Sequence, residues 1–223
     1  MPTPQELIDA VNADDAGRVA ELVAADPALA NTRDGDGVSV VMRSRYRFSR
    51  PVTDALLAAD PDLDVFEAAT LGYAERLRER LSEDPARATA FSPDGFTALH
   101  LAAFFGKAES TRILLEAGAE VNVYSRNELG VQPLHSAAAG RHTEVCRLLV
   151  AAGAAVDARQ QEDYTPLHEA AQHGDPELVE LFLSAGADPA ARLTNGQTPA
   201  DTAEASGHHD LAVRLREVAE AAD

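Results

Sequence analysis

The sequence predicts an all-α repeat, a solenoid of helix-turn-helix units, and three observations predict it. Three stretches nearly repeat one another: FTALHLAA at 96–103, VQPLHSAA at 131–138 and YTPLHEAA at 164–171. Their histidines, His100, His135 and His168, are spaced by 35 and 33 residues, and each precedes a Gly-Ala pair by 18, at Gly118, Gly153 and Gly186. A fixed period of this length marks a stacked array, because a single unit cannot bury its own apolar face. Apolar residues make up 45 % of the 223-residue chain but aromatics only 5 %, with no Trp. A core of small side chains favours helices packed closely on helices.

Within a unit the elements follow in order. Thr165 supplies a hydroxyl for the first helix's N-cap, and Pro166 suits the first helical position, where a missing N–H costs nothing. Gly106 and Gly174 let the chain reverse after a short helix. The second helix carries apolar residues at helical spacing, as in Leu178, Val179, Leu181 and Phe182. Gly118, Gly153 and Gly186 then stand where that helix ends in a left-handed conformation. The frame continues downstream into GQTPADTAEASGHHDLAVRLREV, with Asp201 at the histidine position and Arg216 where an inner leucine would lie, which reads as a capping unit.

Upstream, DVFEAATLGYAERLRERL aligns Ala68-Ala69 with Ala102-Ala103, and LIDAVNADDAGRVAELV repeats that text 58 residues earlier. Between them Met42 takes the histidine slot of a further unit, for seven in all. From Met42 to Phe66 is only 24 residues, so one inter-unit loop is missing there. Asp-Pro replaces Gly-Ala at Asp26, Asp60 and Asp84, so proline is expected to end the second helices of the first three units. The expected organisation is one continuous array: divergent units over 1–93, three regular units over 94–193 and a cap over 194–223.

A spacing near 33 with a T-P-L-H opening resembles the ankyrin repeat, and the chain is similar to bacterial members of that family over 94–193. The resemblance implies β-hairpin fingers between units and a concave face lined by short helices and fingers. It also implies protein binding without catalysis, and no cofactor. Carried over position by position, it selects Arg43, Tyr46 and Arg47; Glu67, Thr70 and Leu71; Leu101, Phe104 and Phe105; Ser136, Ala139 and Gly140; and Glu169, Gln172 and His173. Tyr124, Arg126, Arg159, Gln160, Tyr164 and Arg192 form a second row on the fingers. In the fifth unit the glycine falls one place early and Arg141 occupies the turn.

Charge and motif content narrow the chemistry. With 37 acidic against 19 basic residues the net charge is −18, which disfavours nucleic acid and anionic membrane as partners. The single cysteine, Cys146, falls at an apolar helical position and makes no intrachain disulfide. No 18-residue apolar run and no basic-then-apolar leader is present, so a soluble, cytoplasmic monomer is expected. No nucleophile-elbow, phosphate-loop, zinc-protease or C-x-x-C string occurs. Equivalent histidines of neighbouring units lie roughly 10 Å apart, far beyond zinc-bond length, so each is read as a structural residue and no metal site is expected. DGDG at 34–37 reads as a turn.

One stretch stands apart. MRSRYRFSR, 42–50, gathers Arg43, Arg45, Arg47 and Arg50 in an acidic chain. On a single helix Arg43, Arg47 and Arg50 would share a face and look into the groove. Three readings stand side by side: a basic docking end beside an aromatic middle at Phe104-Phe105, internal pairing with Asp54, Glu67 or Glu75, or phosphate or nucleotide binding. Arg45 aligns with a small buried position and needs a partner. Phe104 and Phe105, adjacent on one helix, predict at least one exposed aromatic. The alternative to a protein-binding groove is a small-molecule or catalytic pocket where the loop is missing, between Arg45, Tyr46, Phe66 and Phe105.

Overall fold

The computed structural model of the chain describes residues 1–222. Seven antiparallel helix pairs are present among them: α1 (Pro4–Asn12) with α2 (Ala16–Ala25), α3 (Val40–Tyr46) with α4 (Arg50–Leu57), and α5 (Val65–Leu71) with α6 (Ala74–Glu83). These are followed by α7 (Ala98–Phe104) with α8 (Ala108–Glu116), α9 (Pro133–Ala139) with α10 (Thr143–Ala151), α11 (Pro166–Gln172) with α12 (Pro176–Ser184), and α13 (Pro199–Ala205) with α14 (His209–Ala222). The first helices pack successively on one another in one row, and the second helices stand behind them. The fold is thus the all-α solenoid that the sequence predicts.

Local chemistry sets each unit. Thr97, Thr165 and Thr198 close capping boxes with His100, His168 and Asp201. His100 Nε2 lies 2.9 Å from the Val131 carbonyl and His135 Nε2 3.0 Å from that of Ala158, each in the next inter-unit loop. A carbonyl only accepts, so Nε2 carries the proton in both rings, and Nδ1 of His100 accepts from the Thr97 hydroxyl at 2.8 Å. Each imidazole therefore starts its own helix and ties its unit to the next. Burial leaves His100 1 % exposed and pushes it and His135 down to about 4.

The unusual turn of the fifth unit has a steric cause. Arg141 takes the left-handed conformation, φ +58°, that glycines adopt in neighbouring units. Gly140 is not left-handed, but a Cβ there would stand 2.6 Å from the Phe104 carbonyl oxygen. The glycine is placed for space, not for torsion.

Two expectations are corrected. The inter-unit fingers are not strand hairpins: the described residues show only isolated bridges, Arg33 with Ser39 and Phe91 with Thr97. Proline termination holds at Asp26 and Asp84, each followed by a short 3₁₀ turn, but α4 ends at Leu57 and Asp60 is left-handed instead, φ +49°.

No finger stands between α4 and α5, which residues 58–64 join directly. The finger at 32–39 therefore approaches the one at 89–97, and a Cβ on Gly37 would lie 3.3 Å from Pro93 Cγ. The core divides at the same place: one apolar cluster runs from Leu7 to Leu63, another from Val65 to Leu215. A polar clasp crosses the division, with Arg80 Nε donating to the Leu63 carbonyl at 2.9 Å, Arg80 also paired with Asp62, and Arg33 on Asp64 at 2.9 Å, while the Asp62 amide ties the joint back to Asn31 at 2.7 Å.

Candidate functional site

The arginine stripe does not form. α3 ends at Tyr46, Arg47 is its C-cap, Phe48 turns the chain with φ +54°, and Arg50 opens α4. The four arginines consequently have four different roles. Arg43 pairs with Asp34 in the preceding finger, where that carboxylate also accepts from the amides of Asp36 at 2.8 Å and Val38 at 3.0 Å. Burial alone would raise Asp34; Arg43 and the two amides hold it below the usual carboxylate range. Arg50 sits 3.6 Å from Asp54 with its side chain 89 % exposed, a contact screened by solvent. Arg47 is exposed and has no acidic partner among the described residues. Arg45 is half-buried, its guanidinium carbon 4.8 Å from the Phe105 ring centroid and its Nε without a partner. Internal pairing thus holds for Arg50 with Asp54, one of the acids named from the sequence, and for Arg43 with Asp34, an acid outside that set.

Because no finger separates the second and third units, the end of α3 reaches across α5 onto α7. The Tyr46 ring lies 6.4 Å from that of Phe105, and Phe48 lies 6.2 Å from Phe104 and 6.1 Å from Phe105. The Tyr46 hydroxyl donates to Asp94 in the facing finger, and burial with that bond raises its pKa. Phe105 is buried beneath these rings, and Phe48, at 69 % exposure, is the exposed aromatic. The expectation of an exposed ring at Phe104 or Phe105 is corrected: Phe104 is half-buried, and a residue outside the predicted set carries the exposure.

The same overhang removes the third unit from the groove. Glu67 is buried, caps α5 by accepting from the Asp64 amide at 2.7 Å, and lies 3.8 Å from Arg33. Burial and the neighbouring Asp64 raise its pKa. Thr70 is fully buried and Leu71 packs toward the first core cluster. Glu67 and Thr70 are not groove residues.

Beyond the overhang the concave side opens into a cavity of about 330 Å³. Its walls come from the second, fourth, fifth and sixth units. Of the residues singled out in the sequence, Tyr46, Leu101, Phe104, Ser136, Ala139, Gln160 and Glu169 converge there. Phe96, Leu129, Val131 and the edges of His100 and His135 complete it. Phe96 precedes the capping threonine as Tyr164 does in the sixth unit, so the register that selected Tyr164 also pointed to it. Leu129, 52 % exposed on its finger, carried no such signal.

The lining is mostly apolar, with one carboxyl group in it. Burial raises the pKa of Glu169 against the opposing pull of His173, whose Nε2 lies 3.3 Å away. Gln172 is exposed and accepts from the Tyr164 hydroxyl at 2.6 Å. Among the finger residues, Tyr124 is exposed, Arg126 stacks 3.9 Å over Phe91, and Arg159 donates to the Arg192 carbonyl at 3.2 Å. Finger arginines here mainly bind finger to finger.

The junction pocket anticipated between Arg45, Tyr46, Phe66 and Phe105 is corrected as well. A crevice of about 10 Å³ reaches Tyr46 and Phe66, and neither Arg45 nor Phe105 lines it. Among the described residues no group of three His, Cys, Asp or Glu side chains is placed to hold a metal, and no helix is long and apolar enough to cross a membrane.

Comparison with known proteins agrees with this architecture. The pattern of the family described as Ankyrin repeats (3 copies) matches residues 7–160 and 122–192. The chain is 36 % identical over 136 residues to the human Neurogenic locus notch homolog protein 4, covering 60 % of this chain and 6 % of that protein. It is 40 % identical over 98 residues to the Probable E3 ubiquitin-protein ligase XBOS31 of Oryza sativa subsp. japonica, covering 43 % and 21 %. With the human Protein phosphatase 1 regulatory subunit 27 it shares 27 % identity over 118 residues, 53 % of this chain and 75 % of that one. The first two matches thus span only a small part of the relatives' own length. The histidine-tied helix pairs and the match across most of their length lead to one conclusion: the chain belongs to the ankyrin repeat family.

Proposed function

We propose that the protein is a non-catalytic interaction module whose concave side takes an extended segment of a protein partner, with an apolar side chain of that segment seated in the cavity. Ankyrin repeats are general protein-interaction modules, and one similar protein is named as a regulatory subunit of a phosphatase. The observation that carries the reading is the convergence of side chains from four units on one mostly apolar cavity with Phe104 at its wall. Half-buried aromatics in such a place are the residues that dominate binding energy. The net charge of −18 argues against nucleic acid as the partner. The module acts as a cytoplasmic monomer in this reading, which light scattering of the purified chain checks.

A photo-crosslinking residue at Ala139, inside the cavity, tests the proposal in cells. The expected result is a discrete protein adduct that disappears with Phe104→Ala and that the same probe at Glu217, on α14, does not give. Identical adducts from both positions would refute it. A small-molecule site is the second reading, favoured by a volume within the roughly 300–1,000 Å³ of ligand pockets. In that case the Ala139 probe gives no protein adduct.

A further inference from the structure

Most arginines of this chain have an acidic partner, as excess acid would dictate. Among the described residues five cations have none. Arg126 stacks on Phe91 and Arg192 donates to the Gly196 carbonyl at 2.8 Å. Of the other three, Arg45 and Lys107 lie where α3 overhangs α5 and α7, and Arg47 is the exposed C-cap of α3. Arg45 lies against Phe105, two residues before Lys107. Burial, and after it the Arg45 charge, lower the pKa of Lys107, and burial lowers that of Arg45 against the pull of Asp54.

Lys107 has a position with a known job in the neighbouring units. The residue that opens the second helix lies over the turn of the preceding unit: a Cβ on Gly106 would touch His142, one on Gly174 would touch His208, and one on Gly72 would stand 3.1 Å from Lys107 Cδ. His142 Nε2 then donates to the Phe104 carbonyl at 3.0 Å and His208 Nε2 to the Gln172 carbonyl at 3.1 Å. Lys107 makes no such bond, so its stem covers the turn while its ammonium stays without a protein acceptor. The Arg45 Nε–H is buried and equally without one. Asp54, the acid whose charge reaches Arg45, makes no ion pair with it and lies 3.6 Å from Arg50.

Two partly desolvated cations without an ion pair, one of them lying on the Phe105 ring, are costly in the absence of an anion. We propose that Arg45 and Lys107 form a seat for one anionic group, a carboxylate or phosphoryl oxyanion, carried by the polypeptide segment whose apolar side chain fills the cavity. The inference rests on the groove reading given above. The seat adjoins that cavity through Phe48, which touches both Phe105 beside Arg45 and Phe104 in the cavity wall. Arg47, exposed two residues along the chain from Arg45, adds positive charge against the field of the acidic chain. The segment recognised is thus one in which an acidic or phosphorylated residue lies close to a large apolar one.

The arginine Nε–H region of the ¹H–¹⁵N spectrum of the intact protein reads the seat directly, with inorganic phosphate and acetate as separate probes against sodium chloride at matched ionic strength. The expected result is a saturable shift of the Arg45 resonance that Lys107→Met weakens by about tenfold, the worth of one charge-assisted bond, and that Arg192→Met leaves unchanged. A response to acetate as well as phosphate assigns a carboxylate source; a response to phosphate alone assigns a phosphoryl group. A drift shared with Arg18 and Arg192, or an Arg45 response indifferent to Lys107→Met, overturns the proposal. The wild-type titration decides even if a variant folds poorly. It needs no partner, so its failure leaves the Ala139 crosslinking result standing, and the reverse.

Discussion

Acid should loosen this array through its buried histidines, and the size of the effect follows from their burial. His100 and His135 have folded-state pKa values of about 4 against an ordinary 6.5. Their depression means that the unfolded chain takes up protons first. Their contribution is therefore fully present above about pH 6.5 and drains away as pH falls from there toward 4. Over that interval each histidine lowers unfolding free energy by about 1.4 kcal/mol per pH unit, or roughly 2 kcal/mol by pH 5 and twice that for the pair. Glu67 and Glu169 act oppositely, because burial raises their pKa values and the fold gains as they protonate. Urea unfolding at a series of pH values, for wild type and His100→Gln, isolates the histidine. The variant starts lower, having lost its bond to the Val131 carbonyl, but its slope between pH 6.5 and 4.5 is shallower by about 1.4 kcal/mol per unit. Parallel curves for the two proteins would refute the argument.

Three further outcomes are expected. Phe182 is fully buried, so Phe182→Ala costs about 3–5 kcal/mol in denaturant unfolding; hydrogen exchange then rises first within the Val65–Leu215 cluster. Gly140→Ala places a Cβ against the Phe104 carbonyl and lowers the unfolding midpoint by about 1–3 kcal/mol, whereas Arg141→Gly at the neighbouring left-handed position is neutral or stabilising. Arg43→Glu sets two carboxylates together at Asp34 and destabilises measurably, while Arg47→Glu, at an exposed C-cap without an acidic partner, leaves the thermal midpoint within experimental scatter.

The regular units were legible in the sequence because each element carries its own chemistry. Thr165, Pro166, His168 and Gly186 are start and stop signals that act within a few residues, and the structure uses them so. Even the missing finger shows as a shortened spacing from Met42 to Phe66. What escaped was everything that depends on the consequence of that shortening. Extending α3 through Arg50 required ignoring Ser49, which caps α4 by accepting from the Val52 amide. The burial of Glu67 and Thr70, the cover over Phe105 and the pairing of Tyr46 with Asp94 all arise from contacts between residues tens of positions apart. Periodicity places a residue in a row, but it does not reveal that a neighbouring row has folded over it. Lys107 carries no such signal: its register marks only a turn, and the charge it meets, Arg45, belongs to a unit two places earlier in the array.

The split of the apolar interior at residues 58–64 bears on how force and partner binding travel along the slab. In a linear array, stability passes only between neighbours, so a joint where the fully buried core is interrupted is expected to part first under tension or mild denaturant. What spans it is a clasp of ionic and amide contacts at the back and an aromatic bracket at the front. High ionic strength slackens the former, whereas a guest lodged against Tyr46 and Phe104 would brace the latter. The first two units are in effect a jaw, which an occupant of the proposed groove would hold more firmly.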